Sequence, residues 1–251
     1  MIDKLDLSNK AFSIRRLLGE DNSSPIDIFT LAQTIESLTL VFYPLGKNIS
    51  GACLKNKLSS IIAINSDMSI GRQRYSLAHE FYHLYFDEKL FSAVCSSKIG
   101  NGIENEKKAD QFASYFLIPP IALYETINKL KKGKKRKLTL EEIIRLEQYF
   151  GVSHQAMLNR LIDEKEITNT DASVMQKGII NIATKLGFDI SLYQSSSETK
   201  KSIVLGHYIY QAEKLLQEEL ISDGKYEELL LDAFRDDIVY GAYTDGGEVI
   251  D

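Results

Sequence analysis

The chain has 251 residues, of which 44% are hydrophobic and 26% are charged, and its formal net charge is −5 at pH 7. This balance predicts a globular protein with a packed core, and the acidic net charge argues against wholesale binding of nucleic acid. There is no long apolar run of the kind that forms a transmembrane helix, and the mixed, acidic start is unlike a secretory signal. We therefore expect a cytoplasmic protein that does not associate with membranes.

The first 65 residues predict a helical start followed by a small sheet. Ser24-Pro25 is typical of a helix N-terminus, with serine as the N-cap and proline at the first helical position. Runs of β-forming residues then predict three antiparallel strands at 38–43, 52–55 and 59–65. Either of the last two strands is a candidate edge at which an extended peptide adds as a further strand. Cys53 and Cys95 are too few for a disulfide framework, and we interpret both as free thiols that pack as small apolar side chains, with a reactive thiol at either position as the alternative.

The strongest motif in the sequence is His79-Glu80-x-x-His83, within a segment that glycine and proline do not interrupt. Apolar residues at helical spacing predict that this segment is a buried helix. On such a helix, His79 and His83 lie on one face about one turn apart, and both can bind one Zn²⁺ at roughly 2.0–2.1 Å. Glu80 is offset by about 100° around the axis. It is therefore predicted to act as the general base toward a zinc-bound water, as in zincins, rather than as a ligand.

A second apolar helix, at 104–117, is predicted to complete the metal site. Glu106 and Asp110 are four residues apart and share a face of this helix. Glu106 can complete a His/His/Glu site that leaves the fourth position open for water or substrate. Asp110 can accept the outer N–H of a ligand imidazole and so fix its tautomer. The connection between the two helices is interpreted as irregular and glycine-rich, and it is expected to form a rim or lid beside the metal.

Three stretches of the sequence carry a resemblance to a known family. They are Arg74-Tyr75-Ser76-Leu77-Ala78-His79-Glu80 running into His83, then Glu106 with Ala109, Asp110, Phe112, Ala113 and Leu117-Ile118-Pro119, and finally Phe150-Gly151-Val152-Ser153. With these motifs, residues 25–165 resemble the ImmA/IrrE family of metallopeptidases. The resemblance implies Zn²⁺ bound by His79, His83 and Glu106, with Glu80 catalytic. It also implies a protein substrate, a separately encoded helix-turn-helix repressor or antitoxin. One departure is Tyr82, where many relatives have glycine.

The rest of the chain is predicted to be mainly helical. The basic run at 129–137 is interpreted as a solvated loop, with contact to nucleic acid or an acidic partner as the alternative. Thr139 and Glu142 form a capping box that opens a helix, and Gly151 is typical of a helix end. We predict two regions: a zincin-like metallopeptidase domain at 1–165 and a mainly helical C-terminal region of unknown role at 166–251.

The predicted fold class is therefore α+β: a mostly helical zincin-like domain with a small three-stranded antiparallel sheet, plus a helical C-terminal region. The predicted function is that of a zinc-dependent endopeptidase making a limited cut in a partner protein. One alternative is a catalytically silent zinc-fold module that sequesters or senses a regulator. Another is a helical interaction protein in which the HExxH string is fortuitous. Four side chains are candidate donors to the oxyanion: Tyr75, Tyr82, Tyr115 and Arg74.

Overall fold

The computed structural model describes residues 2–87, 92–96 and 104–241, and within these ranges the protein is α+β. The helices found there are α1 (Lys4–Leu17), α2 (Ile28–Gln33), α3 (Ile70–Phe86), α4 (Glu104–Leu117), α5 (Pro120–Lys131), α6 (Leu140–Phe150), α7 (His154–Asp163), α8 (Asn169–Val174), α9 (Ile179–Lys185), α10 (His207–Gln217), α11 (Asp223–Asp232) and α12 (Asp236–Val239). The strands found there are β1 (Leu38–Tyr43), β2 (Ile49–Lys55), β3 (Ser60–Asn65), β4 (Ser92–Ser96) and β5 (Ile203–Gly206).

The five described strands form one mixed sheet in the order β4-β2-β3-β1-β5. β1 and β3 are parallel, whereas the other neighbouring pairs are antiparallel. The prediction of a three-stranded antiparallel sheet is therefore wrong in strand number and in direction. The prediction of a free edge at 52–55 or 59–65 is also wrong, because β2 and β3 both lie inside the sheet, with β4 and β5 at its edges. The chain reverses after β1 and again after β2, so that β3 returns in the direction of β1 and pairs with it.

The two additional strands lie in segments for which the sequence predicted other structure. β4 lies in the connection that was predicted to be irregular, and the rest of that connection, with the expected rim or lid, falls at 88–91 and 97–103, outside the described residues. β5 precedes α10 in a region predicted to be mainly helical, and Leu205 pairs with Leu40 of β1. Such short strands carry too little periodicity to be recognised, and they are stabilised by pairing with the sheet. The predicted boundary at residue 165 stays a prediction.

Helix α3 lies at the centre of the fold, packed against α4 on one side and against β2 and β3 on the other. Phe81 of α3 contacts Phe116 of α4 with ring centroids 5.7 Å apart, and Phe116 stacks on Phe112 at 5.6 Å. All three side chains are fully buried. Burial of each contributes about 1.5–3 kcal/mol, so that this cluster fixes α4 against α3. Tyr82 joins the same cluster, with its ring 5.8 Å from that of Phe112.

Local capping signals account for several helix ends. The capping box of Thr139 and Glu142 is confirmed, and so is Gly151 as the C-cap of α6, with φ of +64°. The helix predicted to begin at Ser24-Pro25 begins instead at Ile28, with Asp27 as its N-cap. Asp27 caps α2 by accepting a hydrogen bond of 3.2 Å from the free N–H of Phe29. Ser24 instead donates its N–H to Asp21 in the preceding turn.

The basic run at 129–137 begins in the last turn of α5 and continues into the connection to α6, and acidic side chains pair with part of it. Lys131 pairs with Glu166, Arg136 with Glu142 and Lys137 with Asp171. These contacts use three basic side chains of the run within the fold, and the expectation that the run does not contact nucleic acid stays a prediction. Among the described residues, no helix combines the length and the apolar character that crossing a bilayer requires.

Candidate metal centre

Helices α3 and α4 bring two imidazoles and one carboxylate to a common point. The Nε2 atoms of His79 and His83 lie 3.3 Å apart. The carboxylate of Glu106 faces both of them, with Oε2 3.3 Å from His79 Nε2 and Oε1 3.4 Å from His83 Nε2. The i, i+4 spacing on α3 and the packing of α4 against it produce this convergence.

The outer nitrogen of each imidazole is held by an aspartate. His79 Nδ1 lies 2.9 Å from Asp110 Oδ1, and His83 Nδ1 lies 3.2 Å from Asp87 Oδ2. Asn105 donates a hydrogen bond of 2.7 Å to the same oxygen of Asp87. The aspartate acceptors keep a proton on each Nδ1, so that both Nε2 atoms face Glu106 and are the nitrogens available to a metal ion.

The charges at this point are strongly coupled. Burial opposes protonation of His79, but hydrogen bonds to Asp110 and Glu106 outweigh it and raise the His79 pKa to about 9. The hydrogen bonds from His79 and His83 hold the pKa of Glu106 well below its usual range. The pocket thus stabilises positive charge between the imidazoles and an ionised carboxylate, which is where a bound cation would lie.

Glu80 lies on the sheet side of α3 and is completely buried. Apart from the nearby Cys95 thiol, neither of its carboxylate oxygens has a hydrogen-bond partner among the described residues. Burial raises the pKa of Glu80. Space for this carboxylate is provided by Gly51 of β2, because a Cβ at that position would lie 2.8 Å from Glu80 Oε1. A buried carboxylate without donors is costly to maintain, which is typical of a functional group.

Cys95 of β4 is the group at this centre that the sequence did not reveal. Its Sγ belongs to a cluster with ligand atoms of His79, His83 and Glu106, all within 4.8 Å of one another. β4 pairs with β2 so that Cys95 lies opposite Gly51, and this pairing brings the thiol to the metal helix. Burial and the charge of Glu80 raise the pKa of the thiol well above its usual range. The sequence predicted no strand in this connection, and Cys95 was therefore interpreted as a small packing side chain rather than as part of the centre.

Asp87 is the second residue that the sequence analysis missed, although its signal was available. It is four residues after His83, the same spacing that pairs the two histidines on one face of α3. By contrast, the sequence-predicted residues Glu80, Glu106 and Asp110 lie together with the histidines.

The donor set fits a metal ion. Two imidazoles, a carboxylate and a thiol are groups that bind Zn²⁺ in proteins. Here one ligand atom from each of the four lies within 4.8 Å of the others, close enough to bind a single ion. The aspartates behind both imidazoles are the outer partners that such ligands have in metal sites.

Three of the candidate oxyanion donors have other partners. The Tyr75 hydroxyl donates to the carbonyl of Asp110 at 2.7 Å, and Arg74 Nε donates to the carbonyl of Gly151 at 2.8 Å. The guanidinium of Arg160 lies 4.4 Å from the ring centroid of Tyr115. These contacts tie the three side chains to the packing of the fold around the centre.

An HExxH helix, a sheet beside it and an acidic side chain that faces both histidines from a following helix define a metallopeptidase-like domain. The model of the Peptidase M78 family, described as an IrrE N-terminal-like domain, matches residues 37–162, about half of the chain. The chain belongs to this family of metallopeptidases, and its resemblance to ImmA/IrrE proteins is thereby confirmed. A comparison with curated proteins gave no match.

Proposed function

We propose that this protein is a zinc-dependent endopeptidase. The observation that carries the proposal is the convergence of His79, His83 and Glu106 beside a buried Glu80 whose oxygens lack N–H and O–H donors among the described residues. His79, His83 and Glu106 hold the metal in this account, and Asp110 holds His79 in its binding tautomer. When bound, Zn²⁺ supplies Lewis-acid chemistry that lowers the pKa of a water and polarises the scissile carbonyl.

Glu80 handles the proton in this account. Its carboxylate takes a proton from the attacking water and later gives it to the departing amine. The raised pKa of Glu80, which burial causes, favours the first step, because a less acidic carboxyl is a stronger base toward the proton of the water. Gly51 keeps the carboxylate in reach by leaving room for it on the sheet.

The substrate we propose is a separately encoded helix-turn-helix repressor or antitoxin that is cut at a limited number of bonds. Support for this comes from the family to which the chain belongs and from its resemblance to ImmA/IrrE proteins. The acidic net charge and the ion pairs of three side chains in the basic run suit a protein substrate rather than direct contact with nucleic acid.

The experiment compares wild type with Glu80→Gln, an isosteric change that removes the base and keeps the metal ligands. Each zinc-loaded protein is incubated with a lysate of the source cells, and new protein N-termini are identified by mass spectrometry. We expect a few new N-termini with wild type, at least about a hundredfold fewer with Glu80→Gln, and wild-type cleavage with the exposed control Glu141→Gln. Equal cleavage by wild type and Glu80→Gln would contradict the proposal. A cut in a helix-turn-helix regulator would support the substrate assignment, and cuts only in other proteins would contradict it.

A further inference from the structure

Cys95 takes no part in the proposed reaction, although its thiol belongs to the ligand cluster. Its Sγ lies within 4.8 Å of the ligand atoms of His79, His83 and Glu106. Catalytic zinc sites have three protein ligands and an open position, whereas four protein ligands are typical of closed sites. With Cys95 included, the donor set is a closed one.

The position of the thiol is set by strand pairing. Cys95 lies opposite Gly51 in the β2–β4 pair, and the space that a side chain at Gly51 would fill is taken by the Glu80 carboxylate. The thiol contacts both Glu80 and Glu106. It therefore lies between the proposed base and the third ligand, which is the place that an attacking water needs.

The burial of the site agrees with a closed arrangement. Exposure is 7% for His79, 2% for His83 and 0% for Glu80. With Cys95 against it, the Glu80 carboxylate has no exposed surface to offer a substrate, whereas the Glu106 side chain keeps 21% exposure.

We propose that Cys95 is a displaceable fourth ligand that keeps the metal centre in a latent, closed state. The proposal rests on the metal site of the proposed function. To bind, the thiol loses its proton to the adjacent Glu80 carboxylate, and a sulfur lone pair forms the bond to the metal. To open, that bond breaks and the sulfur regains the proton. No electron is transferred, and departure of the sulfur frees both the fourth position and the Glu80 carboxylate.

Cobalt substitution tests the sulfur ligand without a substrate. The full chain is stripped of metal, loaded with Co²⁺ and examined by absorption spectroscopy. We expect a near-ultraviolet sulfur-to-cobalt charge-transfer band in wild type, its loss in Cys95→Ser, and its retention in Cys53→Ser. Cys53 is a matched control because it is buried on β2, two residues from Gly51. Absence of the band from wild type, or its survival in Cys95→Ser, would overturn the proposal.

Zinc-edge X-ray absorption of wild type removes any dependence on how the variants fold. The proposal predicts one sulfur at about 2.3 Å from the zinc, together with nitrogen and oxygen ligands. A shell of nitrogen and oxygen alone would overturn it. Cys95→Ser is also expected to bind Zn²⁺ at least about tenfold more weakly than Cys53→Ser in a chelator competition.

The two proposals fail in different measurements. Sulfur in the zinc shell without cleavage by any variant would sustain the closed site and contradict the endopeptidase function. Glu80-dependent cleavage without sulfur among the zinc ligands would contradict the Cys95 proposal and leave the endopeptidase function supported. Where both hold, Cys95→Ser should cleave faster than wild type, by the inverse of the fraction of wild type that is open.

Discussion

His79 Nδ1 lies 2.9 Å from Asp110 Oδ1, so that helix α4 orients the imidazole of His79 on helix α3. The same face of α4 carries Glu106, which faces the other nitrogen of that imidazole. Glu106, the proposed ligand, and Asp110, the partner of His79, are one turn apart on α4, so that a movement of this helix would displace both. The aromatic contacts of Phe112 and Phe116 prevent that movement. The centre therefore depends on the packing of two helices rather than on a loop.

The first prediction concerns the two aspartates behind the imidazoles. Asp110→Asn and Asp87→Asn are each expected to weaken zinc binding by roughly 10–100-fold, because each loses a charged acceptor that fixes an imidazole. The measurement is a competition titration against a chelator of known affinity. Asp232→Asn, on the distant helix α11, serves as the control and should bind as wild type does. Wild-type affinity in both Asp110→Asn and Asp87→Asn would show that these contacts do not support the ligands.

The second prediction concerns the close approach of β2 to Glu80. In Gly51→Ala the new Cβ would lie 2.8 Å from Glu80 Oε1 and 3.0 Å from the carbonyl oxygen of Ala63. Since the backbone oxygen cannot yield easily, the Glu80 carboxylate must move. Cleavage should fall at least about tenfold while zinc content stays at the wild-type level.

Gly224→Ala is the matched control for that change, because a Cβ at Gly224 meets nothing within 4 Å. It should leave cleavage unchanged and stabilise α11 slightly. Full activity in Gly51→Ala would mean that the position of Glu80 is not set by β2.

The third prediction concerns a buried pair away from the centre. His154 Nδ1 lies 2.6 Å from Glu147 Oε1, His154 Nε2 faces the carbonyl of Met175 at 2.9 Å, and Tyr193 donates to the other oxygen of Glu147. Burial opposes protonation of His154, but the contact with Glu147 outweighs it, so that the His154 pKa is raised. Burial also raises the pKa of Glu147.

Because the folded pKa of His154 lies above its unfolded value near 6.5, the stabilisation is fully present below about pH 6.5 and is lost as pH rises through the folded pKa. His154→Ala should cost about 3 kcal/mol at roughly pH 6 and less in alkaline solution. Urea unfolding as a function of pH measures this difference. Glu147→Gln should flatten the same pH dependence. A cost for His154→Ala that grows with rising pH would contradict the assignment.

Much of the centre was predictable because its signals are local. The HExxH spacing, the i, i+4 pair of Glu106 and Asp110 and the capping box of Thr139 are fixed within single helices, where 3.6-residue periodicity decides which side chains share a face. The placement of Glu106 against the histidines required in addition that two apolar helices pack together, as their patterns indicated.

The features that sequence reasoning missed depend on long-range strand pairing. Cys95 reaches the centre only because β4 pairs with β2, and Leu205 lies in a strand only because β1 offers it an edge. The parallel pairing of β1 with β3 likewise depends on which strand returns beside β1. Local residue patterns do not encode such choices, since the same run of residues can pair with several neighbours.

The central claim is that His79, His83 and Glu106 bind one metal ion together, and anomalous diffraction at the zinc edge tests it most directly. In crystals of the zinc-saturated protein, we predict a single strong anomalous peak between the two Nε2 atoms and the Glu106 carboxylate. The peak should be lost in Glu106→Ala. It should be retained in His207→Gln, because His207 contacts the carbonyl of Glu36 and not this centre. A peak elsewhere, or none at this point in the zinc-saturated wild type, would contradict the account.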